Sequence, residues 1–383
     1  MKEAVVSVNP LKKLAELGQS IWLDYIRRDL YQGPELKRMI DEDGLAGMTS
    51  NPSIFQKAIA KSDLYDDTIQ KLADKDLSVP EIFEKLAVED VQNACDVFRP
   101  VYDATGGNDG FVSIEVNPHL AHETEKTIAE AKRLWDACNR PNVMIKIPGT
   151  KAGLPAIRHC LAEGININIT LLFSVKRYRE VMEIFAEALE DRLGKGLPVD
   201  ALRSVASFFV SRVDSNVDKK LDAIIDDASR SDDQKKIARA LRGTIAIANT
   251  RLAYANFEEW AATDRVVALK NKGVELQRPL WGSTSTKDDA YPDTLYVDEL
   301  IAPFSVNTIP PETYDAYKDH GDPKVRIKDD LDDAREHLDQ LKTLDIDIDT
   351  VTQELEDEGV KKFADAYDGL IETLDEKVKK IVA

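Results

Sequence analysis

Cysteine is scarce in this chain of 383 residues, and the three that occur, Cys95, Cys138 and Cys160, are an odd number. None of them stands in a C-x-x-C pair or at the spacing from a histidine that a zinc site needs. The pattern therefore argues against a disulfide framework and against a cysteine-based metal site. We interpret the three thiols as reduced residues that pack in the core.

An excess of positive charge is also lacking. The chain carries 51 Lys and Arg against 70 Asp and Glu, a formal net charge of −19, and an acidic surface repels nucleic-acid phosphates and anionic lipids. No apolar run reaches 18 residues, and residues 1–10 lack the apolar stretch of a secretory signal. We expect a cytoplasmic protein whose partners are neither nucleic acids nor membranes.

Histidine is sparse as well, with five in the whole chain. His119 and His122 stand one helical turn apart and precede Glu123, which leaves a metal site open, but the other histidines lie in unrelated contexts. The acids at 345, 347 and 349 imitate the spacing of a calcium loop, yet Thr350 occupies the position that needs glycine. We therefore predict no bound metal, and we interpret Thr350 as the first residue of a T-x-x-Q capping box that opens the last helix.

The sequence does contain a repeated order of short apolar runs and longer amphipathic segments. Eight runs have the length and composition of strands: 20–24, 45–51, 110–116, 143–148, 165–173, 204–210, 279–285 and 305–309. Segments with helical periodicity lie between most of them, including 119–139, 175–193 and 233–262. A repeated βα order implies parallel strands with right-handed crossovers, and eight such units predict a closed (β/α)8 TIM barrel.

A doubly wound open sheet is the alternative to this barrel. Such a sheet normally carries a glycine-rich phosphate-binding turn after its first strand, and residues 24–27 contain no glycine. The glycine-rich stretch 105–110 precedes a strand instead, which predicts a turn at the lower rim of the barrel, away from the expected active site.

The C-terminal segment 326–383 carries 18 acidic and 9 basic residues, which is a net charge of −9 and nearly half of the total. Apolar residues nevertheless recur there at three- and four-residue spacing, at positions 363, 367, 370, 371, 374, 378 and 381. This pattern predicts a helix with one buried face and a solvated acidic face. We expect one barrel domain over 1–383, with 326–383 as a helical extension packed on the barrel.

Polar residues inside the apolar strands are the strongest functional signal. A buried ammonium is costly, so a lysine in such a strand tends to lose its proton and become a nucleophilic amine. Isolated buried carboxylates would destabilise a core, so their presence at strand ends indicates a solvated pocket. One lysine, two acids and several amides fit imine chemistry on a polyhydroxylated carbonyl compound. These residues are Lys146, Asp24, Glu115, Asn51, Asn166, Asn168 and Thr170.

Several motifs together resemble the transaldolase family. They are Gly-Met-Thr-Ser-Asn-Pro-Ser at 47–53, Val-Ser-Ile-Glu-Val at 112–116, Met-Ile-Lys-Ile-Pro at 144–148, Ile-Asn-Ile-Asn-Ile-Thr-Leu-Leu-Phe-Ser at 165–174 and Ser-Phe-Phe-Val-Ser-Arg-Val-Asp at 207–214. The resemblance runs in order from about residue 17 to 321. The tail at 359–363 is similar to the longer bacterial branch of the family.

The resemblance implies a role for each residue that matches a family motif. Lys146 would form the imine, Asp24 would be the acid and base of carbon–carbon bond cleavage, and Glu115 would move protons through a water shared with Thr170. The remaining residues would bind the substrate. Asn51 and Asn168 would hold the hydroxyls of a dihydroxyacetone unit, Ser207 and Arg212 would hold the phosphate, and Thr49 and Phe209 would also line the site.

Phe209 separates two reactions within this family. In the related lyases that act on fructose 6-phosphate, a tyrosine occupies the position of Phe209, where it helps to activate water and release the product. Phe209 has no proton to donate, so the resemblance favours a transferase. One strand departs from the family pattern, because Trp281–Lys287 replaces a Ser-Phe-Arg sequence. We predict that Lys287, with Ser283 or Ser285, contacts the phosphate; a surface-loop lysine is the alternative.

The resemblance thus implies transfer of a dihydroxyacetone unit from sedoheptulose 7-phosphate to glyceraldehyde 3-phosphate in the pentose phosphate pathway. The products would be erythrose 4-phosphate and fructose 6-phosphate, and no cofactor is expected. Two alternatives stay open at this point, a lyase of the fructose 6-phosphate aldolase type and a non-catalytic barrel that binds sugar phosphates. The sequence leaves open whether the protein is a monomer or a homodimer.

Overall fold

The computed structural model describes residues 9–60, 62–75 and 77–382. Its centre is a closed barrel of eight parallel strands in sequence order, in which the last strand pairs with the first. The strands are β1 (Gln19–Asp24), β2 (Gly47–Thr49), β3 (Phe111–Glu115), β4 (Val143–Pro148), β5 (Ile167–Leu172), β6 (Ser204–Phe209), β7 (Arg278–Gly282) and β8 (Ser305–Ile309). The predicted (β/α)8 barrel and all eight predicted strands are confirmed.

Helices surround the barrel and cross its ends. They are α1 (Pro10–Glu16), α2 (Arg28–Gln32), α3 (Glu35–Arg38), α4 (Pro52–Ala60), α5 (Asp66–Ala73), α6 (Val79–Ala104), α7 (Thr124–Cys138), α8 (Gly153–Glu163), α9 (Val175–Gly194), α10 (Ser211–Asp226), α11 (Asp232–Leu241), α12 (Ile245–Ala261), α13 (Asp264–Lys270), α14 (Leu295–Glu299), α15 (Pro311–His320), α16 (Leu331–Thr343) and α17 (Ile348–Val382). A π-helical turn at Met39–Asp43 and a 3-10 turn at Pro118–Leu120 complete the helical elements. Within the described residues, no helix combines the length and the apolar character that a membrane span needs.

The interior of the barrel is closed at its lower end by apolar side chains. The residues of this plug are Trp22, Phe111, Met144, Val205, Leu280 and Val306. The glycine-rich turn lies at the same end, because Asp109 accepts a hydrogen bond from Ser20 Oγ at 2.6 Å and pairs with Arg278 at 3.2 Å. The prediction of a lower-rim turn is therefore confirmed, and the opposite rim is left for the polar residues.

The alternation of strand β5 ends in a bulge. The register between β5 and β6 shifts between Ile169 and Leu172, and Leu171 has a left-handed φ of 60°. Alternating inward and outward side chains therefore continue only as far as Thr170. The predicted strand 165–173 is too long by two residues at its start and by one at its end, and Leu171 is buried beneath α17.

The predicted helix over 233–262 is wrong, since the chain forms two helices there, α11 and α12. Gly243, at a φ of 72°, breaks the helix, and its N–H donates to Asp218 Oδ1 at 3.1 Å. The N–H of Ala246 donates to Asp214 Oδ1 at 2.7 Å, so carboxylates from α10 cap the start of α12. The helices over the other two segments are confirmed, with α7 beginning at Thr124.

The last helix, α17, has the predicted buried face, with Phe363, Leu370 and Leu374 in the core. The capping prediction at Thr350 is wrong. Thr350 lies in the first turn, and its N–H donates to Asp347 Oδ2 at 3.1 Å, so Asp347 caps the helix. The assignment of the whole chain to one domain with a C-terminal extension stays a prediction.

Candidate active site

A cavity of about 860 Å³ opens at the C-terminal ends of the strands. In a parallel barrel this rim gathers the ends of all eight strands, which lets distant residues share one pocket. Asn166 does not reach this pocket: its side chain bonds to the carbonyls of Pro141 and Val143 and to the N–H of Arg203, beside the start of β4. Of the eleven residues to which a role was assigned, eight line the cavity: Asp24, Thr49, Asn51, Lys146, Ser207, Phe209, Arg212 and Lys287. The other three, Glu115, Asn168 and Thr170, stand on strands β3 and β5 on either side of Lys146, which is carried by β4.

Lys146 is 5% exposed, and its ammonium has two close polar neighbours. Its Nζ lies 3.5 Å from Glu115 Oε2 and donates a hydrogen bond to the Ser50 carbonyl at 3.3 Å. Burial raises the pKa of Glu115 to about 7, because the loss of hydration outweighs the attraction of Lys146. Glu115 can therefore both hold and release a proton near neutral pH, beside the buried Lys146.

Asp24 is the second buried acid, at the end of β1. Thr49 Oγ1 donates to Asp24 Oδ1 at 2.7 Å, and Thr308 lies 2.7 Å from Thr49, so the two hydroxyls form a chain that ends on the carboxylate. Burial raises the pKa of Asp24, against the lowering effects of Lys146, the Thr49 hydrogen bond and Arg212. Thr308 was not among the predicted site residues, although it is a polar residue in an apolar strand like the others.

The amides are held by short hydrogen bonds. Ser207 Oγ donates to Asn168 Oδ1 at 2.7 Å, and Asn168 Nδ2 donates to Ser113 Oγ at 3.0 Å, which joins strands β6, β5 and β3 across the interior. Asn51 faces the cavity and caps α4, because its Oδ1 accepts from the N–H of Ile54 at 3.1 Å. These contacts fix the direction in which each amide meets a bound hydroxyl.

Thr170 and Glu115 are the candidates for a shared water. Among the described residues, neither Thr170 Oγ1 nor either carboxylate oxygen of Glu115 has a protein hydrogen-bond partner, and all three atoms are buried. Buried polar atoms of this kind are commonly satisfied by ordered water. The arrangement suits a bridging water, and the shared role itself stays a prediction.

The cations of the site lie at its mouth. The Arg212 guanidinium is 5.3 Å from the ring centre of Phe209, and burial lowers its pKa against the attraction of Asp24. Lys287 is exposed, yet it lines the same cavity and donates to Ser285 Oγ at 2.5 Å. The partial loss of hydration at the cavity wall lowers the pKa of Lys287. The negative charge of Glu312 raises this pKa, and the positive charges of Arg212 and Lys57 lower it further. Lys287 thus lies on an exposed loop at the rim of the pocket, and its contact with a phosphate stays a prediction.

Two residues of the mouth had no signal in the sequence. Lys57 lies on α4 and lines the cavity near Lys287. Phe363 comes from α17, more than 200 positions after Lys146, and its ring centre is 5.5 Å from Lys146 Nζ. Both sit on helix faces whose periodicity alone predicts packing or solvation.

The two metal-like patterns do not converge in the structure. His119 is exposed and lies 2.7 Å from Asp368 of α17, while Asp347 caps that helix. Within the described ranges, no three His, Cys, Asp or Glu side chains come together as a metal site would require.

A closed parallel barrel that places a buried lysine and two buried carboxyls at the C-terminal ends of its strands defines a (β/α)8-barrel enzyme. Residues 21–374 match the family model described as transaldolase/fructose-6-phosphate aldolase. The chain belongs to this family, and it is an enzyme, a transferase of the transaldolase type.

Full-length relatives agree with this assignment. A transaldolase of Trichodesmium erythraeum is 46% identical over 375 residues, which cover 97% of this chain and 98% of that protein. A transaldolase of Frankia alni is 48% identical over 96% of each chain. A transaldolase of Acidothermus cellulolyticus is 51% identical over 93% of each chain. The similarity therefore spans the barrel and the C-terminal helices together.

Proposed function

We propose that this enzyme transfers a dihydroxyacetone unit between sugar phosphates through an imine on Lys146. The donor is sedoheptulose 7-phosphate and the acceptor is glyceraldehyde 3-phosphate, which gives erythrose 4-phosphate and fructose 6-phosphate. These are reactions of the pentose phosphate pathway. The observation that carries the proposal is the burial of Lys146 at 3.5 Å from Glu115, inside a cavity that also contains Asp24.

The chemistry follows from the positions of these three groups. The Lys146 amine adds to the ketone carbon of the donor, and Glu115 supplies the proton with which the hydroxyl leaves as water. Asp24 then takes the proton from the hydroxyl next to the bond that breaks, and the aldehyde product leaves. The electron pair of that bond stays on the three-carbon unit as an enamine. The acceptor aldehyde adds to this enamine, Asp24 returns the proton, and hydrolysis frees Lys146.

The substrate contacts support the same orientation. Asn168, whose side chain is held by Ser207 at 2.7 Å, faces the interior beside Lys146, where the hydroxyls of the three-carbon unit would lie. Arg212 and Lys287 lie at the mouth, where a terminal phosphate would project. Charged hydrogen bonds to phosphate are stronger than neutral ones, so the rim would fix the distal end of the sugar.

A lyase that releases free dihydroxyacetone is the second candidate within the family. Phe209 argues against it, because its ring lies in the cavity beside Arg212 and Phe173 and offers no proton. An assay for dihydroxyacetone without an acceptor aldehyde separates the two. Release at the rate of transfer would favour the lyase.

The imine is tested by reduction with borohydride in the presence of fructose 6-phosphate, followed by peptide mass mapping. We expect a single label on Lys146. The exposed Lys57 in the same cavity is an internal control for non-specific reduction, and Lys146→Met should carry no label. A label that is absent from Lys146 in active enzyme would refute the mechanism.

A further inference from the structure

The C-terminal helix passes over the open end of the barrel at the catalytic lysine. It approaches strand β5 most closely at Gly359, where a Cβ would lie 3.0 Å from Leu171 Cδ2. Phe363 follows one helical turn later on the same face. Its side chain therefore enters the cavity from above, and it is 6% exposed.

The ring of Phe363 lies close to two cations of the site, Lys146 and Arg212. Its centre lies 5.5 Å from Lys146 Nζ and 6.0 Å from Arg212 Cζ. The Arg212 guanidinium also lies 5.3 Å from the ring centre of Phe209. These distances are in the range of cation–π attraction. Phe363 is thus a neighbour both of Lys146, which would form the imine, and of Arg212, which would hold the phosphate.

The helix that carries this ring is anchored on both sides of it. Near its end, Lys377 donates to the carbonyls of Ile59 at 3.1 Å and Ser62 at 2.5 Å, which close the C-terminal end of α4. Near its start, Glu354 pairs with Lys220 of α10 at 2.9 Å. The ring is therefore held in place by contacts to two helices of the barrel, rather than presented by a loose tail.

An apolar ring at this position has a chemical consequence that rests on the proposed function. Release of the three-carbon unit needs one proton on the enamine carbon and one water on the imine carbon, after which the carbon–nitrogen bond breaks. Dihydroxyacetone and the Lys146 ammonium are then formed. Transfer to an aldehyde needs neither before the new carbon–carbon bond forms. Water excluded from the enamine therefore favours transfer over release.

We infer that Phe363 is a positioning residue that shields the Lys146 enamine from water and so sets the ratio of transfer to release. Its ring lies directly against Lys146 and borders the cavity. Phe209, which lies on β6, has no proton to donate. Phe363, which lies on α17, covers Lys146. The transferase character thus depends on two rings from different parts of the chain.

The test replaces Phe363 by Ala and by Leu, with Tyr367→Ala as the matched control. Tyr367 lies one turn further on α17, and its ring packs on Phe83 at 5.9 Å and on His119 at 6.0 Å between ring centres. We measure free dihydroxyacetone formed from fructose 6-phosphate, with and without acceptor, against the amount transferred. We expect the ratio of release to transfer to rise about tenfold in Phe363→Ala, which corresponds to about 1.4 kcal/mol between the two barriers.

Phe363→Leu keeps part of the apolar cover, so its ratio should rise less, and Tyr367→Ala should keep the ratio of the unmodified enzyme. If Phe363→Ala does not fold, a ratio above that of the unmodified enzyme in Phe363→Leu supports the inference and an unchanged ratio overturns it. An unchanged ratio in folded Phe363→Ala also overturns it, while labelling of Lys146 leaves the proposed function standing. Absence of both transfer and labelling in the unmodified enzyme overturns the proposed function and this inference together.

Discussion

Replacement of Lys146 by methionine tests the electrostatics of the buried pair. Methionine has a similar length and no charge, so it fills the same space in the barrel. Burial holds the pKa of Glu115 at about 7 although Lys146, at 3.5 Å, pulls it down. Without that charge the pKa of Glu115 must rise above 7, and the pKa of Asp24 loses the same lowering contribution.

The magnitude follows from proton linkage. The folded-state pKa of Glu115 lies above its ordinary value of 4.5, so its contribution to stability is fully present below pH 4.5 and is lost as pH rises through the folded-state pKa. The loss is about 1.4 kcal/mol per pH unit. In the unmodified enzyme this loss of stability ends near pH 7, whereas in Lys146→Met it continues to higher pH. Above pH 7 the variant should therefore keep losing stability, at up to about 1.4 kcal/mol per pH unit, while the unmodified enzyme does not.

Near pH 6, by contrast, Glu115 is mostly protonated in both proteins, so the substitution breaks no ion pair. The free energies of unfolding should then differ by less than about 1 kcal/mol, because a buried ammonium is itself no asset to stability. The expected pattern is a small difference at acidic pH that grows with increasing pH. Activity and borohydride labelling should be lost at every pH.

Urea unfolding followed by circular dichroism at about pH 6, 7 and 8.5 measures these free energies. Lys57→Met is the control, because it removes an exposed lysine from the same cavity and leaves the charge of Lys146 beside Glu115 in place. Its effect should be small and equal at each pH. Parallel pH profiles for Lys146→Met and the unmodified enzyme, or a larger loss at pH 6 than at pH 8.5, would refute the reasoning.

Four further substitutions test other parts of the structure. Phe209→Tyr adds a proton donor to the cavity and should raise acceptor-independent release of dihydroxyacetone about tenfold, and unchanged release would contradict its assigned role. Arg212→Ala should raise the KM for sedoheptulose 7-phosphate at least about tenfold, and Lys287→Ala about threefold, since each removes a charged hydrogen bond; an unchanged KM for Lys287→Ala argues that it is only a surface-loop lysine. Gly47→Ala places a Cβ 2.6 Å from the Trp22 ring, so the urea midpoint should fall by the equivalent of about 1–3 kcal/mol, and an unchanged midpoint would show that the plug can rearrange.

Much of the fold was predictable because its signals are local. Apolar runs of strand length alternate with amphipathic segments, and all eight strands lie where these runs predicted them. The polar interruptions of those runs, such as Lys146 and Glu115, meet at one rim because the C-terminal ends of parallel strands all point the same way. Order and periodicity are sufficient for both conclusions.

The errors occurred where a hydrogen-bond acceptor outside the expected pattern takes the donors of a helix end. The segment 233–262 has continuous helical periodicity, but Asp214 and Asp218 of α10 accept hydrogen bonds from its middle and start a new helix there. Thr350 has the sequence of a cap, yet Asp347 stands three residues earlier and takes the N–H that needs a partner. Caps compete for the same few donors, and geometry decides between them.

The sequence by itself determined the barrel, its active rim and the polar residues that alternate along the strands, because each depends on spacing within a few residues. Only the tertiary structure decided that Lys57, Thr308 and Phe363 border the same cavity. Their proximity depends on the path of the chain over more than 200 residues, which no periodicity encodes. Phe363 shows the difference most clearly: its spacing predicts a buried helix face, and the packing of α17 places that face over Lys146.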